Sequence, residues 1–134
     1  MSHLHAKDIL IVEDDAAMLE LLAIGFRRAG FSVRTAPDGG QGLIQFRRRP
    51  AAAVISDLNL PDADGLQAIS EIKSCRPGTP ILAISGGGFF DTLDLLALAR
   101  AIGADAALAK PFRVADAVSL MCDLLSPQRA ELAA

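Results

Sequence analysis

Apolar residues along this chain fall into two spacings that alternate. Short apolar runs, DILIVE (8–13), FSVRTA (31–36), AVISD (53–57), PILAIS (80–85) and AALA (106–109), have the length and composition of strands. Between them, apolar positions recur at helical spacing: Met18, Leu21, Leu22 and Phe26; Leu43 and Phe46; Leu66, Ile69 and Ile72; and last Val114, Val118, Met121 and Leu125. A strongly apolar helix is predicted from about Phe90 to Ile102. Asp14 or Asp15 caps the first helix and Gly30 ends it, Pro50 and Pro77 bound the second and third, and Gly103 follows the fourth. The pattern predicts five βα units.

Such alternation requires a parallel sheet with helices on both faces, because each parallel connection needs a right-handed crossover. In open sheets of this kind, ligands bind beyond the carboxyl ends of the strands. The first strand ends at Glu13-Asp14, the third at Asp57, the fourth at Ser85 and the fifth at Lys110. All four ends are predicted to face one crevice.

Composition narrows the class without changing this picture. With 134 residues, 51% hydrophobic and 22% charged, the chain suits one globular domain that buries a core without staples. Residues 1–126 read as that domain and 127–134 as a flexible tail, with no linker or internal repeat. The net charge of -3 argues against nucleic acid as a partner. The basic run Arg47-Arg48-Arg49 reads as a solvated helix end favoured by the helix dipole rather than a nucleic-acid patch. Cys75 and Cys122 are not in metal or redox spacing and read as reduced thiols, and His3 and His5, ahead of the first strand, carry no predicted role. The start lacks a signal-peptide layout, and no apolar run is long enough to span a bilayer, so a cytoplasmic protein with no membrane partner is expected.

Three carboxylates brought within a few ångströms raise one another's pKa unless a cation neutralises them. No histidine or cysteine accompanies Glu13, Asp14 and Asp57, and an all-oxygen site points to Mg²⁺ rather than zinc. Magnesium commonly shares its shell with a phosphate, so a phosphoryl group is the expected second guest. Lys110 supplies a point charge for one of its oxygens and the Ser85 hydroxyl a donor for another. Asp57 then becomes a nucleophile that forms an aspartyl phosphate.

The segments ILIVEDD, VISDLNLPDADG, AIS and ALAKPF, in that order, resemble the receiver domain of bacterial two-component response regulators over roughly residues 7 to 125. The resemblance implies a flavodoxin-like, doubly wound α/β fold: a five-stranded parallel sheet of order 2-1-3-4-5 with five helices. It implies Asp57 as phosphoacceptor, with Asp14 as Mg²⁺ ligand and Glu13 acting directly or through water. The backbone carbonyl of Asn59 would complete the ligands, Ser85 would be the switch hydroxyl, and Lys110 would hold the phosphate ahead of a cis bond to Pro111. Asp15, beyond the matching pair, reads as a helix cap. The implied partner is a sensor histidine kinase or histidine phosphotransfer protein, whose phosphohistidine supplies the group to a receiver that signals by protein contact.

Two departures stand out. Where the family usually carries an aromatic residue three positions before the lysine, this chain has Ala107, so the aromatic half of the switch is missing. The loop SGGGFF (85–90) is glycine-rich and reads either as a mobile gate over the site or as a plain flexible turn; its third glycine falls wrongly for a dinucleotide fingerprint. In the helix that follows, Leu95, Leu98 and Ile102 share one face and Phe89, Leu93 and Leu96 the opposite one. The face of Leu95, Leu98 and Ile102 is therefore expected to meet a protein partner or a second copy, unless flanking elements cover both sides. Two other functions compete. A phosphatase using the same intermediate would want an acid two residues beyond the nucleophile, where Asn59 stands. A phosphorylation-independent docking module would fit Ala107 but leave the acids and lysine without a use.

Overall fold

The computed structural model describes residues 7–58, 64–86 and 92–126, without the side chains at 64 and 92–96. The strands are β1 (Asp8–Val12), β2 (Ser32–Ala36), β3 (Ala53–Asp57), β4 (Ile81–Ser85) and β5 (Ala106–Ala109). They alternate with α1 (Ala16–Arg28), α2 (Gly39–Arg48), α3 (Asp64–Cys75), α4 (Thr92–Ile102) and α5 (Val114–Leu124). All strand pairs are parallel, in the order β2-β1-β3-β4-β5, the doubly wound topology expected.

Alternation along the strands divides the core into two halves. Leu10, Val12, Val54, Ile81 and Ala83 face α2, α3 and α4, while Ile9, Ile11, Ala53, Ile55, Leu82 and Ile84 face α1 and α5. Phe46 anchors the first half and Phe26 the second; both are fully buried, which contributes roughly 1.5–3 kcal/mol for a side chain of this kind. The three central strands β1, β3 and β4 are buried at every position, as continuous apolar runs require.

Asp15 is the N-cap of α1, its carboxylate accepting from the Ala17 N–H at 3.0 Å. Gly30, with φ of 95°, turns the chain after α1 in the left-handed region that glycine tolerates. Leu21 departs from its expected place: it is 55% exposed, because the row that meets the sheet is Met18, Leu22 and Phe26, and Leu21 lies on its flank. No helix among the described residues is long and apolar enough to cross a membrane. The tail at 127–134 lies outside the described residues.

Candidate functional site

The site sits where β1, β3, β4 and β5 end. The β1–β3 register pairs Val12 with Ser56, so the next residue of each strand, Glu13 and Asp57, stand side by side at the carboxyl edge. Both are buried, whereas Asp14 turns outward and is exposed. The three carboxylates each offer an oxygen, and these oxygens lie within 4.8 Å of one another. Lys110, one residue past β5, reaches across β4 to bridge the two buried acids. Its Nζ donates to Glu13 Oε1 at 2.8 Å and to Asp57 Oδ2 at 3.0 Å. The second Glu13 oxygen, Oε2, accepts the Asp15 N–H at 3.2 Å.

Backbone pairing fixes the remaining wall. The Lys110 N–H donates to the Ser85 carbonyl at 2.6 Å and the Leu58 N–H to the Ile84 carbonyl at 2.7 Å, so β4 ties both acid-bearing and lysine-bearing ends in place. Ser85 is buried at the end of β4. The Lys110-Pro111 peptide is cis. Asn59, expected as the remaining ligand, lies outside the described residues, as does the loop from Gly87 to Asp91.

Electrostatics shows how unbalanced the cluster is. Burial alone would lower the Lys110 amine, but its hydrogen bonds to Glu13 and Asp57 and their charges outweigh this and raise it. Glu13 is pushed up to about 7, first by burial and next by sharing a hydrogen bond with Asp57; Lys110 and the Asp15 N–H oppose the rise without cancelling it. One ammonium therefore faces three carboxylates, an excess of two negative charges when all are ionised. An oxygen-only donor set with that excess fits a hard divalent cation such as Mg²⁺, which Glu13, Asp14 and Asp57 would hold.

A pH dependence follows. Without divalent cation, folded Glu13 keeps its proton in a range where the unfolded chain has released it, so its contribution to stability falls as pH rises from about 4.5 to about 7. Thermal unfolding in EDTA should show that fall in the wild type and a flatter profile in Glu13→Gln. Superimposable profiles would refute the assignment.

One contact had no counterpart in the sequence reading. Gly65, in the first turn of α3, comes so close to the end of β3 that a Cβ there would run into the Asp57 carbonyl oxygen. A glycine just inside a helix, where it is a poor helix former, is the only signal of this in the sequence.

Comparison with known proteins decides the family. Residues 9–121 match the family model described as the response regulator receiver domain. The chain belongs to that family. Among curated relatives of this receiver, the transcriptional regulatory protein GlrR of Escherichia coli K12 is 39% identical over 88 residues, covering 66% of this chain and 20% of the relative. QseB of Haemophilus influenzae is 34% identical over 117 residues, covering 87% of this chain and 52% of the relative. The receiver thus spans about a fifth and about half of the lengths of these two regulators. Among solved structures, a CheY-like receiver domain protein from Methanospirillum hungatei JF-1 is 28% identical with a TM-score of 0.82, covering 93% of this chain and 98% of its own.

Within the receiver, Ala107 is half-buried against the core cluster on the α4 side of the sheet. Of the face expected to meet a partner on α4, Leu98 and Ile102 are half-buried against the core cluster that also takes in Ala107 of β5. The side chain of Leu95 lies outside the described part, as do Phe89, Leu93 and Leu96. Cys75 and Cys122 are free thiols on the surface.

Proposed function

We propose that this receiver is a phosphorylation-dependent signalling switch that takes a phosphoryl group onto Asp57 from a phosphohistidine on a sensor histidine kinase or histidine phosphotransfer protein. The observation that carries this reading is the Lys110 bridge: one ammonium held by two buried carboxylates, within a triad of acids too negative to be neutralised by it.

An Asp57 carboxylate oxygen attacks phosphorus, forming a P–O bond as the P–N bond to the donor imidazole breaks. Lys110, already aimed at Asp57, meets a phosphoryl oxygen and stabilises charge on the transferring group. Ser85, buried at the end of the neighbouring strand, donates its hydroxyl to another. When bound by Asp14, Asp57 and Glu13, with the Asn59 carbonyl as a further ligand, Mg²⁺ supplies the positive charge that balances phosphoryl oxygens. Glu13 is rigid because both its oxygens are engaged, so it serves better as a fixed acceptor than as a mobile base.

The test is incubation with acetyl phosphate or phosphoramidate and Mg²⁺, read by intact mass. One phosphoryl group should be gained by the wild type and none by Asp57→Ala or in EDTA. No gain under any condition would instead support a docking module that needs no phosphorylation.

A further inference from the structure

Glycine is the poorest helix former after proline, yet Gly25 stands inside α1. A contact with another helix accounts for it. α1 and α5 pack side by side on one face of the sheet, and a Cβ at position 25 would run into Cγ1 of Val114, the first residue of α5. Valine is stiff at χ1, so this methyl cannot swing aside as the tip of a long side chain can. The Val114 Cβ itself stands 3.5 Å from the same point, an ordinary van der Waals contact. A single methyl group therefore separates a fit from a clash.

This contact seats the N-terminal end of α5. α1 and α2 are capped there by the Asp15 and Asp38 carboxylates, whereas Arg113, in the cap position of α5, makes no side-chain capping hydrogen bond. Packing takes the place of a cap: Val114 rests on Gly25, and Phe112 lies half-buried against the core cluster that holds Leu22 and Phe26. Only Pro111, Phe112 and Arg113 separate this seat from Lys110. The ring of Pro111 fixes its own φ, which removes one of the few torsions able to absorb a displacement. On the strand side the Lys110 N–H is tied to the Ser85 carbonyl at 2.6 Å, but the direction in which the lysine stem leaves its Cα also depends on the peptide that follows. That stem must bring Nζ to 2.8 Å from Glu13 and 3.0 Å from Asp57 at once.

We propose that Gly25 is a positioning residue for Lys110, acting through Val114 and the segment 111–113 to hold the ammonium on Asp57 for phosphoryl transfer. The proposal rests on Asp57 as phosphoacceptor. Gly25 takes no part in the chemistry and acts only by the room it leaves for Val114.

The test is a pair of double-substitution cycles on the full chain, at a temperature where circular dichroism shows every variant folded. Gly25→Ala should slow Mg²⁺-dependent phosphorylation by acetyl phosphate by about tenfold to a hundredfold, the loss that a displacement on the order of 1 Å brings. Val114→Ala alone should react like the wild type. Gly25→Ala combined with Val114→Ala should recover that rate, because the added Cβ then meets only the Cβ of residue 114. In Lys110→Met, Gly25→Ala should change the rate by no more than about twofold, since the group it displaces is gone. The same variants are read a second time as unfolding temperatures in EDTA, where Gly25→Ala should lower the wild type more than it lowers Lys110→Met. A wild type that takes up no phosphoryl group would refute the phosphoacceptor reading, and the unfolding cycle would then decide the seating of Lys110 by itself. Reaction of Gly25→Ala at the wild-type rate, slow reaction that Val114→Ala does not restore, or an equal loss of rate or unfolding temperature with and without Lys110 would each overturn the proposal.

Discussion

Lys110→Met should slow phosphorylation of Asp57 by about a hundred- to a thousandfold, the usual loss when one preorganised transition-state donor is removed. It should also destabilise the metal-free protein at neutral pH. The Lys110 ammonium pairs with Glu13 and Asp57, whose side chains are 0% and 3% exposed. Removing one partner of a buried pair costs about 3–5 kcal/mol. The amine is itself 20% exposed, and screening there reduces the expected loss to about 2 kcal/mol. The stranded carboxylates can recover much of this by taking up a proton, and Glu13 is the one already raised to about 7. The difference in stability between wild type and Lys110→Met should therefore be large at pH 8 and small at pH 5, measured by denaturant unfolding in EDTA. Added Mg²⁺ should narrow it at pH 8. A loss of the same size at both pH values would mean that packing of the lysine stem, rather than its charge, is what the protein misses.

The fold was legible because its strands are so evenly apolar. DILIV, AVISD and ILAIS are buried at every position, so a strand period needs no alternation to be recognised, and the helices between them set the parallel topology. The meeting of Glu13, Asp14, Asp57 and Lys110 was legible for the same reason. Each acid or amine stands within two residues of a strand end, and parallel strands put all such ends on one edge. What sequence could not show is where contact replaces pattern. Leu21 fits the helical count loosely but misses the buried row by one position, and periodicity cannot tell the centre of an apolar face from its flank. Because α4 is apolar on two sides, periodicity could not tell that Leu98 and Ile102 are half-buried against the core beside β5.

Gly65 and Gly40 offer a paired test of how closely α3 must approach the site, because both lie in the first turn of a helix and both would gain helix propensity, about 1 kcal/mol, on replacement by alanine. Around Gly40 a Cβ would meet only the Asp38 carboxylate at 3.5 Å, an ordinary contact. Gly40→Ala should accordingly be neutral or stabilising by up to about 1 kcal/mol. At Gly65 the obstacles are backbone: the Asp57 carbonyl oxygen, then the Asp57 carbonyl carbon and Leu58 Cα, each 3.2 Å away. Backbone of a central strand cannot swing aside as a side chain tip can, so the propensity gain is overrun by an overpacking cost of about 1–3 kcal/mol or more. Gly65→Ala should lower the unfolding temperature by roughly 10 °C if the net loss is near the top of that range. The clash is with the residue that carries the nucleophile, so relief by displacement moves Asp57 relative to Lys110, and phosphorylation by acetyl phosphate should slow by about tenfold or more. An alanine at 65 that melts and reacts like the wild type would show that α3 can retreat without disturbing β3, and that the close approach is incidental to the site.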